Sequence, residues 1–346
     1  MMTAGILAYA EFGLVCLVIL VLPFVAAFRE WRHPTDAAPL PVLPNYTSDI
    51  DHFARRLQSD VKSKLGLGKS TGHEEFELVD HPAANVDWSK KRHRMISQAI
   101  ATETSVRSAQ QLYVEGSIRA GGGSAFPSLY ATGDIDLGNE SEIRDWAHAD
   151  GAVKLGGNSV ALRRISAGTL IELGTDSWFE RMQAPTLYFG SRANRGLPPG
   201  EKAQIPADFA ELPNCVQRTP ALFLIRGDCA LPAGRIYQGS LVVTGFLTIG
   251  AGTTVVGDIK ARDGVSLDYQ AQVKGALTCE KRIYLFTGTR VDGPVISESD
   301  LLVGTGAVVG LLDAHTTVSA ANIIVEDGVV VHGAIWAHEI GMVKKA

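Results

Sequence analysis

Tyr237-Gln238-Gly239-Ser240-Leu241-Val242-Val243 returns as Val255-Val256-Gly257-Asp258-Ile259-Lys260-Ala261, and again as Val273-Lys274-Gly275-Ala276-Leu277-Thr278-Cys279. The phrase is hydrophobic, any residue, Gly, any, aliphatic, any, small. It continues in Val291-Asp292-Gly293-Pro294-Val295-Ile296-Ser297, Val308-Val309-Gly310-Leu311-Leu312-Asp313-Ala314 and Val331-His332-Gly333-Ala334-Ile335-Trp336-Ala337. The glycines Gly239, Gly257, Gly275, Gly293, Gly310 and Gly333 step by 18, 18, 18, 17 and 23 residues.

A second phrase shares the period: Leu247/Ile249, Val265/Leu267, Ile283/Leu285, Leu301/Val303 and Ile323/Val325. Alternating apolar pairs mark strands with one buried face, and a fixed period marks a stacked repeat. Three strands of about six residues close one triangular turn, so the expected fold is all-β: a three-sided β-helix of about 18 residues per coil. Gly at one place in every coil suits a corner, where positive φ or close backbone approach excludes a side chain.

Upstream, the rung Val114-Glu115-Gly116-Ser117-Ile118-Arg119-Ala120 opens a related series ending in Gly138, Gly156, Gly174 and Gly190. Residues 112–190 are thus a first block of coils and 219–341 a second. Between them, 191–218 lack alternation and carry Pro198, Pro199, Pro206 and Pro213, a segment suited to covering a coil edge or offering a binding loop. Residues 342–346 read as a short basic tail.

Residues 1–32 read as a transmembrane anchor, apolar from Ala4 to Phe28 except for Glu11, with Ile6, Leu14, Leu17, Ile19, Leu22 and Phe24 facing lipid. No Lys or Arg precedes the run, unlike a signal peptide. Basic residues follow it at Arg29 and Arg32, which places the body in the cytoplasm and the N-terminus outside the inner membrane. Residues 33–46, with Pro34, Pro39, Pro41 and Pro44, form an extended spacer.

Within the membrane-proximal region 47–111, Ile50, Phe53, Leu57, Val61 and Leu65 predict an amphipathic helix capped by Thr47 or Ser48. Its apolar face fits either the membrane surface or the β-body. Lys90, Lys91, Arg92 and Arg94 form the densest basic cluster, suited to anionic headgroups. Gly66-Leu67-Gly68-Lys69-Ser70-Thr71 lacks the first glycine and the preceding strand of a phosphate loop, so no nucleotide is expected.

The 346 residues carry a formal charge of −5, which argues against nucleic acid as a partner. Cys16, Cys215, Cys229 and Cys279 have no paired spacing, so neither a disulfide framework nor a metal site is expected, and no cofactor is implied.

The repeated rungs of Gly239 to Ala337 resemble the bactofilins, polymer-forming cytoskeletal proteins of bacteria. The resemblance implies a right-handed three-sided β-helix that assembles without nucleotide into filaments or sheets on the cytoplasmic face of the membrane. It also implies a scaffold that recruits cell-wall or envelope proteins. This chain departs from the pattern in its second β-helical block, its interruption and its long membrane-proximal region. An uncovered solenoid end exposes unpaired backbone groups, and head-to-tail matching builds open filaments. The rung at Val331, Ile335 and Trp336, near the C-terminus and without an evident cap, is the expected assembly end.

The rival class is a hexapeptide-repeat acyltransferase, since small or aliphatic residues also recur every six positions from Ile249 to Val291. It would use His315, with His332 and His338 behind it, but no acid stands at a fixed spacing to orient them. Asp134, Asp136, Asp145 and Asp150 are expected on the exterior.

Overall fold

A computed structural model of the protein describes residues 2–32, 49–65, 77–79, 94–190 and 204–345. The chain divides into a unit of residues 1–48 and a unit of residues 49–346.

The described residues of the first unit form the helix α1, Met2–Arg32. Leu14, Leu17, Ile19, Leu22 and Phe24 are all exposed on it, while the side chain of Ile6 lies outside the described set. Among the described residues, no helix is long and apolar enough to cross a membrane. The helix expected over the anchor therefore forms, while the expected membrane span is not found among the described residues.

In the second unit, the second block is a three-sided β-solenoid. One coil supplies the strands Ser240–Val243, Phe246–Ile249 and Thr254–Val256, and the next supplies Ile259–Ala261, Gly264–Leu267 and Gln272–Val273. Each strand pairs in parallel with its equivalent one coil on, as in Leu241↔Ile259, Leu247↔Val265 and Val255↔Val273. Both members of each alternating apolar pair are buried, which puts the aliphatic repeat in the core and leaves the residue between them facing out.

The repeat glycines stack at one corner. A Cβ built on Gly257 or on Gly275 would collide with the carbonyl of the glycine one coil back, and one on Gly293 would lie 2.6 Å from the carbonyl carbon of Gly275. Close approach of successive backbones excludes side chains there, and at Gly239, Gly257, Gly310 and Gly333 a positive φ does so as well. A second ladder lines a corner of the first block. Ser124, Ser141, Ser159 and Ser177 are buried, and the amides of Ser141 and Ser159 donate to the hydroxyls of Ser159 and Ser177 at 3.2 and 2.9 Å.

The first block is built in the same way but starts earlier than its sequence period suggests. The strand Arg94–Ala101 pairs in parallel with Gln111–Ala120, and Glu77–Val79 with Arg94–Ala101. Its last strand, Trp178–Phe189, does something the repeat does not encode. It runs antiparallel to the final strand of the second block, Val330–Lys344, with Met182 opposite Ile335 and Leu187 opposite Val331. The two solenoids thus meet C-terminal coil to C-terminal coil.

One inward column passes through the seam: Leu241, Ile259, Leu277, Val295, Val318 and Ile335, then Met182, Ile165, Ala147, Leu129 and Leu112. Every member is buried, so the blocks share a core.

Two expectations are corrected here. The rung at Val331, Ile335 and Trp336 is no open end, because its free edge is taken by the first block. Nor are residues 342–344 a tail: Met342 pairs with both Ile324 and Trp178, and Val343 is buried. The apolar residues in that stretch satisfy the strand pattern, whereas Lys344 and Lys345 had suggested a tail.

The other end of the second block is covered by residues 204–219. Asp208 caps a single 3-10 turn, Phe209–Glu211, by accepting from the Ala210 amide at 2.9 Å. Phe209 is thereby driven into the coil cross-section, 4.7 Å from the Tyr237 ring and 5.1 Å from that of Phe223. The strand Cys215–Thr219 then runs antiparallel along Leu222–Ile225. The described part of the interruption is an edge cover.

Candidate functional site

The helix α2, His52–Leu65, packs against the first block, which decides between its two expected positions. Ala54, Leu57 and Val61 bury against Tyr113, Tyr130 and Trp146, aromatic side chains pointing outward from the solenoid. Phe53, expected on the buried face, is instead 45% exposed. The expected cap at Thr47 or Ser48 lies outside the described residues.

Beneath α2, outward positions of successive coils form a polar and aromatic ladder, Tyr113, Tyr130, His148, Ser166 and Gln183. Tyr113 and Tyr130 stack with ring centres 5.0 Å apart. Asp150 Oδ1 accepts from Tyr130 Oη at 2.8 Å and lies 3.2 Å from His148 Nε2. His148 Nδ1 is 2.7 Å from Ser166 Oγ. With its one proton on Nε2 facing the carboxylate, neutral His148 accepts from the serine hydroxyl.

Burial lowers the His148 pKa, against the opposing pull of Asp150, and burial together with Asp150 raises that of Tyr130. The neutral forms of both groups are favoured. Ser166 is only 5% exposed, so the Asp150–His148–Ser166 relay has the order of a nucleophile's partners without an open face for a substrate. Asp51, at the start of α2, binds Arg55 Nε through Oδ2 at 2.6 Å, while its buried Oδ1 has no hydrogen-bond partner.

Two residues along, a parallel outward ladder runs Ser128, Trp146, Arg164, Arg181, Trp336 and Ser319, and so crosses the seam. A cleft of about 490 Å³ opens on it beside α2. The Arg164 guanidinium lies 5.0 Å from the Phe53 ring centre and that of Arg181 lies 5.0 Å from the Trp336 ring, both at cation–π distance. Arg163 Nε is 3.7 Å from Asp145, and its backbone has φ 57°, left-handed for a non-glycine residue. Burial, then the charge of Arg164, lowers the Arg181 pKa.

Sequence reasoning named none of these arginines. Their signal was the spacing: Trp146 and Arg164 differ by 18 positions and so share an outward register. Asp145 and Asp150 are exposed, as expected, and both also serve the ladders beside α2.

The other sequence candidates do not gather at one point. Lys90, Lys91 and Arg92 lie outside the described residues, and Arg94 opens a strand with its side chain likewise outside the description. His315 is exposed; His332 Nδ1 is 3.1 Å from Thr186 Oγ1, and His338 Nε2 is 3.0 Å from Ser319 Oγ. Burial lowers the His332 pKa. Among the described residues, no group of three or more His, Cys, Asp and Glu is placed to hold a metal ion.

No protein-family model matches the chain, and neither the curated proteins nor the solved structures include one significantly similar to it.

Proposed function

We propose that the chain is a membrane-tethered, non-catalytic scaffold that presents the flanks of a double β-solenoid to envelope or cell-wall proteins, the role implied by its bactofilin-like rungs. The observation that carries this reading is the seam at Met182 and Ile335, which joins two blocks into one body with a shared core. A rigid, continuous surface suits recruitment of partners.

The seam also changes the expected mode of assembly. End-to-end growth through Val331, Ile335 and Trp336 is replaced by contact within one chain, and Phe209 plugs the opposite end of the second block. The scaffold therefore works as a discrete particle. Tethering falls to α1, whose exposed leucines, isoleucine and phenylalanines need an apolar surrounding. Arg29 and Arg32 in its last turn face anionic headgroups on the cytoplasmic side.

The test is to express the full chain, extract it in detergent and examine it by electron microscopy and light scattering. Uniform particles of fixed small stoichiometry support the reading, and filaments overturn the discrete form. Extraction by carbonate without detergent overturns the tether. Turnover of an acyl-CoA donor would replace the scaffold with the acyltransferase.

A further inference from the structure

We propose that one flank of the joined solenoids is a self-docking face, which binds the same face of a second copy of this chain around a two-fold axis. The observation is a column of outward side chains on neighbouring strands: Tyr284, Leu302, Ile324, Met342, Trp178 and Val160. Each stands between two buried neighbours in its own strand, so each points away from the core. All six are apolar or aromatic, and Leu302 and Trp178 are 36% and 43% exposed.

The column is bounded. It turns polar at Ser266 and Thr248 on one side and at Glu142 on the other. On the adjacent flank the outward column is mixed, with Lys260, Thr278 and Ser319 among its members. A continuous apolar stripe with a polar rim marks a contact surface. This one crosses the seam, so it exists only when both blocks are joined.

Charge and residue order favour a second copy over a lipid surface. Asp300 and Glu326 border the stripe, two residues from Leu302 and Ile324, and would repel anionic headgroups. Lys344 lies beside Glu326 in the paired strand, two residues beyond Met342. With the two-fold axis running along the strands between Ile324 and Met342, the order of rungs reverses across the contact. Ile324 then meets Met342 of the second copy, Leu302 meets Trp178, and bulky Tyr284 meets small Val160. The same operation sets Glu326 of each copy opposite Lys344 of the other, two pairs of opposite charge.

Six strands at about 4.8 Å and three outward positions at about 7 Å give a face on the order of 600 Å² per copy, which clears the roughly 1,000 Å² in total of a specific contact. A contact of this symmetry closes at two copies. The proposal thus rests on the discrete-particle reading and gives that particle its stoichiometry.

In the test, the full chain is purified in detergent and its protein mass is measured by light scattering with the bound detergent subtracted. Equal parts of unlabelled and isotope-labelled chain are exchanged by dilution and reconcentration, then treated with a carbodiimide, which joins a carboxylate to an amine in direct contact. The expected results are a protein mass of two chains and mixed-isotope peptides joining Glu326 to Lys344. Leu302→Lys combined with Ile324→Lys is expected to weaken the pair at least tenfold in a dilution series and to remove the mixed-isotope product.

Lys344→Glu, at the exposed end of its strand, serves if the double variant does not fold. It sets like charges against each other across the axis and is expected to weaken the pair at least threefold. A wild-type mass of one chain overturns the proposal and leaves the scaffold reading in place. A mass of two chains that neither variant lowers also overturns it, because the contact then lies elsewhere. Filaments would sink the discrete particle and this contact together.

Discussion

Met182 of the first block lies directly opposite Ile335 of the second in an antiparallel ladder, and neither has any exposed surface. Truncating either to Ala removes buried methylene groups and leaves a cavity, a loss of about 2–5 kcal/mol. Since the two residues touch, the double variant should depart from additivity by about 0.5–3 kcal/mol. Urea unfolding of the four proteins measures this, and strict additivity would argue against the seam.

Phe209→Ala should uncover the far end of the second block. The side chain is 1% exposed and packed between Tyr237 and Phe223, so the loss is about 3–5 kcal/mol. The opened apolar cross-section should also make light scattering rise with protein concentration. A variant as stable and as monodisperse as the parent would show that the 3-10 turn is decoration.

Gly275→Ala isolates the steric part of the corner, because Gly275 is not among the glycines with positive φ. Its added methyl group meets the Gly257 carbonyl, and the coils must separate to admit it. The expected loss exceeds about 1 kcal/mol. Gly252→Ala is the contrast, since it has φ 65° and open space around its Cβ position. It should suffer backbone strain without displacing a neighbouring coil, so only Gly275→Ala should speed amide exchange in the adjacent coil.

His148 makes the packing of α2 sensitive to acid. Its folded pKa lies below the ordinary value of about 6.5, chiefly through burial. The unfolded chain then binds more protons below that value, so stability is complete above about pH 6.5 and declines as pH falls towards the folded pKa. Replacing His148 by Gln should flatten this decline between about pH 7 and pH 5. Thermal melts of both proteins across that range check it, and parallel curves would remove His148 as the cause.

The solenoid was legible because period and alternation are the direct consequences of coil stacking, and Leu241, Ile259 and Leu277 declare both. The end cover was half legible, since Pro206 and Pro213 announce a break in the coil while nothing in the local pattern says that Phe209 turns inward. The seam was hidden for a physical reason. Antiparallel pairing of Trp178–Phe189 with Val330–Lys344 leaves the same alternation as parallel pairing, so its direction has no local signature.

The arginine cleft was hidden differently. Arg164, Arg181 and Trp336 converge only after both blocks are wound and joined, and outward residues carry no periodic constraint from the core. Placement of α2 on the first block became decidable only through Tyr113, Tyr130 and Trp146, whose outward rings require a cover.

Thr186 and His332, joined across the seam at 3.1 Å, stand 146 positions apart in the chain. A ribosome adding about 5–20 residues per second needs on the order of ten seconds to bridge that interval. Throughout it the nascent first solenoid waits with a bare terminal rung, open to the same rung on a neighbouring polysome-borne copy. Timely completion of translation is thus what closes this molecule on itself, and a stalled message would leave a sticky half-product.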